Sequence, residues 1–246
     1  MAADIRKLEQ DRSIILFDAG LVKESVSELW TAAEQAYRQD RAPRGSACFF
    51  EAQGLSCNYR HYRRGGMIEA LLQDRYPGRG RRNNRAFHEF ALLEKLKEMD
   101  LPVPTPVAAR VQPGGLFYRA DLITLRIPGT LSTAELLRQQ AFTAGDWRRL
   151  GGLIARFHRA GLWHVDLNAG NILCDREGRF YLIDFDRCRL RKPGSWAQQN
   201  LQRLLRSFTK LKRLAAEDFL FTEADWQNLL TGYSGRPEED TFSPCR

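Results

Sequence analysis

Asp166, Asn171, Asp184 and Asp186 fall within one short stretch, HVDLNAGNILCDREGRFYLIDFD (164–186), and their types and spacing can do chemistry. The apolar runs between them read as buried strands. Carboxylates beside buried strands are costly unless a positive charge lies among them. A divalent metal with phosphate supplies that charge. Asp166 and Asn171 stand five apart on a loop ahead of the strand NILC, and Asp184 closes the next strand, FYLIDF. The intervening DREGR reads as a turn, so hairpin pairing predicts Asn171 and Asp184 side by side. An amide oxygen and a carboxylate there can hold Mg2+, which prefers oxygen and keeps its other positions for water and phosphate. Asp166 is not required as a ligand. It is left to orient an incoming hydroxyl and accept its proton. The set suits phosphoryl transfer, where catalysis is largely positioning plus metal and cationic stabilisation.

The same residues follow the protein-kinase pattern of a catalytic-loop H-x-D-x-x-x-x-N and a later D-F-x on metal. His164 is expected to hold the loop rather than react. Asn168 stands where protein kinases commonly carry lysine, which points away from a protein substrate. Asp186 replaces the usual glycine, either supporting the metal loop or backing a ligand. Upstream, Glu89 in RAFHEFALLEKL fits a helix glutamate that pairs with a strand cation above the ATP phosphates. The strand SCNYRHYRRGG has no lysine, so Arg60 is the candidate cation, with Arg63 and Arg64 competing. No GxGxxG occurs; Arg44-Gly45-Ser46 is either a phosphate-facing loop or an ordinary turn. LITLRIPGT (122–130) resembles the kinase hinge.

The elements that must position these residues are legible in outline. Ser25-Val-Ser-Glu28 resembles a capping box opening a helix to about residue 37. Residues 47–51 and 56–62 read as strands joined by AQGL. Phe87, Phe90, Leu93 and Leu96 mark a helix over 84–99, stopped by LPVPTP. Residues 116–127 suggest two short strands. Helices are expected at 132–140, at 146–159 with Asp146 as its cap, and after Pro193-Gly194 along a Leu201, Leu204, Leu205, Phe208, Leu211 stripe. The first ~120 residues are thus strand-rich and the rest mostly helical. The expected organisation is α+β: an N-terminal lobe with a leading helix over 1–127, on the ATP phosphate side, and a helical lobe over 128–246 carrying the catalytic loop and metal site.

Among 246 residues, 43% are hydrophobic and 28% charged, a globular composition without an apolar run long enough to span a membrane. The N-terminus lacks the apolar core of a secretory signal. Five scattered cysteines without a CxxC pair suggest neither a disulfide framework nor a zinc site, and the expectation is a reduced, cytoplasmic protein. The net charge of +8 favours anionic partners. Arg60, Arg63, Arg64, Arg75, Arg79, Arg81, Arg82 and Arg85 share a span whose only acids are Glu69 and Asp74. It is either a solvated basic face or a surface for phosphate and carboxylate, which arginine's planar fork suits. The aromatics do not interleave the arginines as they do in single-strand binders, so nucleic acid is not an expected partner.

RHYRRGG (60–66), RAFHEF (85–90), LPVP (101–104), RADL (119–122), RFHRAGLWHVDLNAGNIL (156–173) and LIDFDR (182–187) together resemble the Kdo/heptose lipopolysaccharide kinases over roughly residues 44–190. The resemblance implies a protein-kinase-like bilobal fold. It also implies ATP-dependent phosphorylation of the 4-hydroxyl of a 3-deoxy-D-manno-octulosonic acid (Kdo) residue on the lipid A precursor, at the cytoplasmic side of a Gram-negative inner membrane. Asp166 carries over as catalytic residue, Asn171 and Asp184 as metal positions, and Arg60 with Glu89 as the nucleotide pair. The anionic glycolipid and an anionic membrane surface are then the expected partners, with no obligate protein partner. The basic stripe over 201–214 either lies on anionic lipid or is an ordinary packed helix. The competing functions are a heptose kinase, a soluble small-molecule or antibiotic kinase, and a non-enzymatic pseudokinase or anion-binding module. The full Asp166, Asn171 and Asp184 set argues against the last.

Overall fold

The computed structural model describes residues 3–39, 48–62, 76–77, 84–114, 117–215 and 218–235. The fold is α+β, with a sheet-rich N-terminal region followed mostly by helices. Two compact units form, one from 1–98 with 104–126 and one from 99–103 with 127–246.

The first unit is built on a sheet of β1 (Ile5–Gln10), β2 (Ser13–Asp18), β3 (Cys48–Ala52), β4 (Leu55–His61), β5 (Tyr76–Pro77), β6 (Pro106–Gly114) and β7 (Phe117–Leu125). Its order is β1-β2-β6-β7-β4-β3, with β5 pairing β7. The β3–β4 hairpin turns on Gln53 and Gly54, both at positive φ, the two-residue turn whose twist matches the strands. Asp11 and Arg12 make the same kind of turn between β1 and β2. This first hairpin was not anticipated: β1, IRKLEQ, is exposed nearly throughout, and Asp-Arg carries no glycine to announce a turn. Nor was β6. Its Val107, Ala108, Ala109 and Val111 are fully buried, and prolines flank the run, so alternation is absent. Residues 117–125 form one strand rather than two.

Helices cover both faces of this sheet. α1 (Val26–Gln39) packs Tyr37 edge-on against Tyr59 and tilted against His61, whereas α2 (Arg85–Glu98) meets Arg60 and Tyr62, the alternate positions of the same strand. Asn84 caps α2 by accepting from the Phe87 N–H at 2.8 Å. Ser25 caps α1 by accepting from the Ser27 N–H at 3.2 Å.

In the second unit, residues 99–103 join the later chain because the Leu182 N–H donates to the Pro102 carbonyl and Arg156 to that of Asp100. β8 (Leu131–Ser132) leads into α3 (Thr133–Leu136), far shorter than the helix expected to residue 140. α4 (Ala144–Arg159) starts from Thr143, not Asp146; Asp146 is the reciprocal partner of a capping box. β9 (Leu162–Trp163) follows, then β10 (Ile172–Cys174) and β11 (Phe180–Leu182), then β12 (Arg189–Leu190), which pairs β9. α5 (Trp196–Ala215) and an unanticipated α6 (Glu223–Ser234), opened by a Thr222–Asp225 capping box, complete the unit. α4 and α6 approach so closely that a Cβ on Gly151 would lie 2.0 Å from the Leu229 carbonyl, and one on Gly232 2.0 Å from that of Arg148. The core between them and the hairpin centres on Trp147, fully buried against Phe142, Phe208 and Phe221.

Candidate active site

The loop between β9 and β10 is fixed by polar groups from three directions. Asn168 accepts from the Gly170 and Asn171 N–H groups at 2.8 and 3.2 Å and donates to the Asp166 carbonyl at 3.0 Å. The residue standing in place of a lysine is therefore a loop cap. The Ala169 carbonyl accepts from the Thr133 hydroxyl at 2.7 Å, and its N–H donates to the Ser207 hydroxyl at 3.1 Å. Asn200 of α5 clamps both backbone groups of His164, at 3.1 and 2.8 Å.

His164 is 1% exposed, packs edge-on against Phe185 and hydrogen-bonds through Nε2 to the Ile183 carbonyl at 3.1 Å. Burial holds its pKa below the ordinary imidazole value. A neutral ring donating from Nε2 ties the loop between β9 and β10 to the segment after β11. It acts as a structural strut.

Asn171 and Asp184 are brought to the same end of the hairpin. Ile172 pairs Leu182, and the Ile183 N–H donates to the Asn171 carbonyl at 3.0 Å. The Asn171 amide nitrogen donates to the Asp166 carbonyl at 2.9 Å, which leaves its Oδ1 as the oxygen donor for a cation. Asp184 has a φ of 63°, a left-handed backbone that Asp and Asn tolerate better than most residues. Its neighbour Phe185 is fully buried, and the Cys188 N–H closes the turn on the Phe185 carbonyl at 2.9 Å. Asp186 follows, partly exposed, at the head of the turn to β12. Among the described residues no group of three or more His, Cys, Asp or Glu side chains converges as a metal cage. Two oxygen donors fit Mg2+, which commonly takes one or two protein ligands and completes its shell with water and phosphate.

Asp166 projects from this loop with its side chain 58% exposed. Its carboxylate pairs with Arg203 of α5, Nη1 to Oδ1 3.2 Å. Arg203 was not expected at the site. It belongs to a basic stripe visible in the sequence, but 37 residues separate it from Asp166, and only the packing of α5 selects it.

In the first unit, Arg60 and Glu89 form an ion pair, Nη1 to Oε1 3.4 Å, with the Glu89 side chain 4% exposed. Tyr62, also unanticipated, donates its hydroxyl to Glu89 Oε2 at 2.5 Å, and both Arg60 and Arg85 lie over its ring. Burial, then the Glu89 charge, push the Tyr62 phenol well above its usual range, so it remains a donor. Arg63, Arg64, Arg75, Arg79, Arg81 and Arg82, and the 44–46 loop, lie outside the described residues. On the opposite sheet face, Asp121 accepts from Tyr59 at 2.8 Å and from Arg110 at 3.1 and 2.9 Å, and meets His61 Nδ1 at 2.6 Å. Burial alone would raise this carboxyl; the bond with His61, the charge of Arg110 and the bond from Tyr59 outweigh it and hold it below the usual carboxylate range. Arg110 also bridges to Glu34 at 2.7 Å and lies over Trp30, so this network fastens α1 to the sheet.

Comparison with known proteins places the chain among the kinases. It matches the model of the lipopolysaccharide kinase (Kdo/WaaP) family over residues 27–233 and belongs to that family. It is 36% identical to a 3-deoxy-D-manno-octulosonic acid kinase of Haemophilus influenzae (strain 86-028NP), over 93% of this chain and 99% of that protein. Proteins of the same name from Stenotrophomonas maltophilia (strain R551-3) and Xylella fastidiosa (strain M23) are 43% and 41% identical, over 80% and 89% of this chain and 81% and 88% of theirs.

Proposed function

We propose that this chain transfers the γ-phosphoryl group of ATP to the 4-hydroxyl of a Kdo residue on the lipid A precursor. The shared name of relatives that align over most of their length supports the substrate. One observation supports the chemistry: the Asn171 side-chain amide donates to the Asp166 carbonyl and the Asn171 carbonyl accepts from the Ile183 N–H, so the backbone carrying Asp166, Asn171 and Asp184 is tied together at one end of the hairpin.

In this reading Asp166 orients the Kdo hydroxyl and takes its proton as the bond to phosphorus forms. Asn171 and Asp184 would hold Mg2+, which supplies neutralisation of charge on the phosphates. Arg60, steered by Glu89 and Tyr62, reaches a nucleotide phosphate in the role that lysine fills in protein kinases. The two units then correspond to the lobes of a protein-kinase-like fold, the first on the phosphate side. The enzyme works at the cytoplasmic face of the inner membrane as a peripheral protein, drawn by its net charge of +8 to anionic lipid.

Incubation with ATP, Mg2+ and the Kdo-bearing precursor, followed by fragmentation of the product in a mass spectrometer, tests the proposal. One added phosphate on the Kdo fragment, at the 4-position, is expected. Phosphate on heptose, on the lipid A disaccharide, or only on soluble aminoglycosides would overturn the substrate assignment.

A further inference from the structure

α5 presents two neighbouring stripes. Trp196, Asn200, Leu201, Leu204 and Phe208 are buried. Beside them Arg203, Arg206, Ser207 and Lys210, at spacings of three, four and seven residues, share a second face. With Asn168 and Gly170 of the catalytic loop, these four line a cavity of about 540 Å³ lying wholly within the second unit.

Three cations over two turns repel one another, and Arg206 and Lys210 form a like-charged i,i+4 pair. Arg203 is offset by Asp166. Among the described residues, neither Arg206 nor Lys210 pairs with an acid. A helix that only packs gains nothing from such a cluster, whereas a bound anion relieves it. The cavity also has a side. Its walls include Asn168, and Arg203 contacts the hydroxyl-side carboxylate, but the metal-side pair Asn171 and Asp184 does not line it. Leu211 and Leu214 continue the same face, and Leu214 is 68% exposed, an apolar margin suited to a glycolipid rather than a free sugar.

We infer that this cavity is the acceptor site, in which Arg206 and Lys210 bind an anionic group of the substrate and so set a hydroxyl beside Asp166. The inference rests on the proposed transfer to a Kdo-bearing precursor. That acceptor offers two kinds of oxyanion, the sugar-acid carboxylate and the phosphates of the lipid A disaccharide.

The test is the double variant Arg206→Gln, Lys210→Gln, with Arg176→Gln in the exposed β10–β11 turn as a charge control. Losing two charge-assisted bonds should raise the KM for the precursor about ten- to hundredfold, with the KM for ATP and the melting temperature unchanged and the control like wild type. Repeating the comparison with dephosphorylated precursor, and with precursor whose Kdo carboxylate is converted to an amide, identifies the group: the acceptor on which the penalty vanishes lacks it. An unchanged acceptor KM, or an equal penalty on all three acceptors, overturns the site while leaving the transfer reaction standing. Should wild-type protein transfer nothing to Kdo, the proposed function fails, and binding of the precursor without ATP judges the cavity. Tight binding lost in the double variant retains it; equal binding, or none to wild type, rejects it.

Discussion

Asp166 owes its placement to neighbours: Asn168 and Asn171 grip its carbonyl, and Arg203 holds its carboxylate. Asp166→Asn keeps the shape of the side chain and removes its carboxylate; under the proposed role as proton acceptor, turnover should fall about 10²- to 10⁴-fold, with ATP affinity retained in a calorimetric titration. At position 184, alanine would disturb a left-handed backbone as well as remove a charge. Asp184→Asn tolerates the φ of 63° and isolates the charge. It should retain its melting temperature and lose Mg2+-dependent turnover; near-normal activity across a Mg2+ titration would exclude Asp184 as a ligand. Arg60 and Glu89 make a coupled pair, so the losses in kcat/KM for ATP from Arg60→Gln and Glu89→Gln should be less than additive in the double variant. The approach of Asn171 to the Asp184 segment was legible because their spacing is local and the turn between the two strands fixes the pairing. Arg203 and Tyr62 were not, because each reaches its partner from an element 37 or 27 residues away. The exposed basic stripe gave no sign of which arginine would face the loop.

At the level of elements, the α4–α6 contact is the tightest test of packing. Gly151→Ala would set a methyl 2.0 Å from the Leu229 carbonyl, so the helices must separate. Overpacking of this kind costs about 1–3 kcal/mol, visible as a lower melting temperature, whereas Gly54→Ala meets no atom within 4 Å and is limited to its φ of 73°. The same contact carries a pH dependence. His158 of α4 bonds Tyr233 of α6 at 2.9 Å, and burial lowers its pKa to about 4. The unfolded chain therefore binds this proton more readily than the folded one, and stability falls as pH drops from about 6.5 toward 4. The loss is at most roughly 3 kcal/mol from this ring, and buried His164 acts in the same direction. Urea melts at pH 7, 5.5 and 4.5 should show it, and His158→Gln should flatten the curve; an unchanged slope in that variant would remove His158 as its source. Helices α2 and α5 and the β3–β4 and β10–β11 hairpins were readable from periodicity and turn residues. β6 hid its period by being buried on both faces, β1 hid it by being polar on both, and α6 lies beyond the reach of the motif-bearing segments.

For the molecule as a whole, charge and chemistry point to one kind of partner. No helix among the described residues is long and apolar enough to cross a membrane, and the chain carries a net charge of +8. Binding to anionic vesicles should therefore weaken steadily as salt shortens the range of the attraction; equal binding to neutral and anionic vesicles at low salt would exclude electrostatic recruitment. That prediction concerns where the enzyme works. The central proposal is that the Asp166 loop moves a phosphoryl group onto Kdo. The most direct measurement follows label from γ-³²P ATP into the Kdo-bearing precursor, with wild type and Asp166→Asn compared at matched fold and matched ATP occupancy. Label released with the Kdo fragment by wild type, and reduced by at least about a hundredfold in the variant, is the expected result. Equal labelling by the two proteins, or label elsewhere than on Kdo, would contradict it.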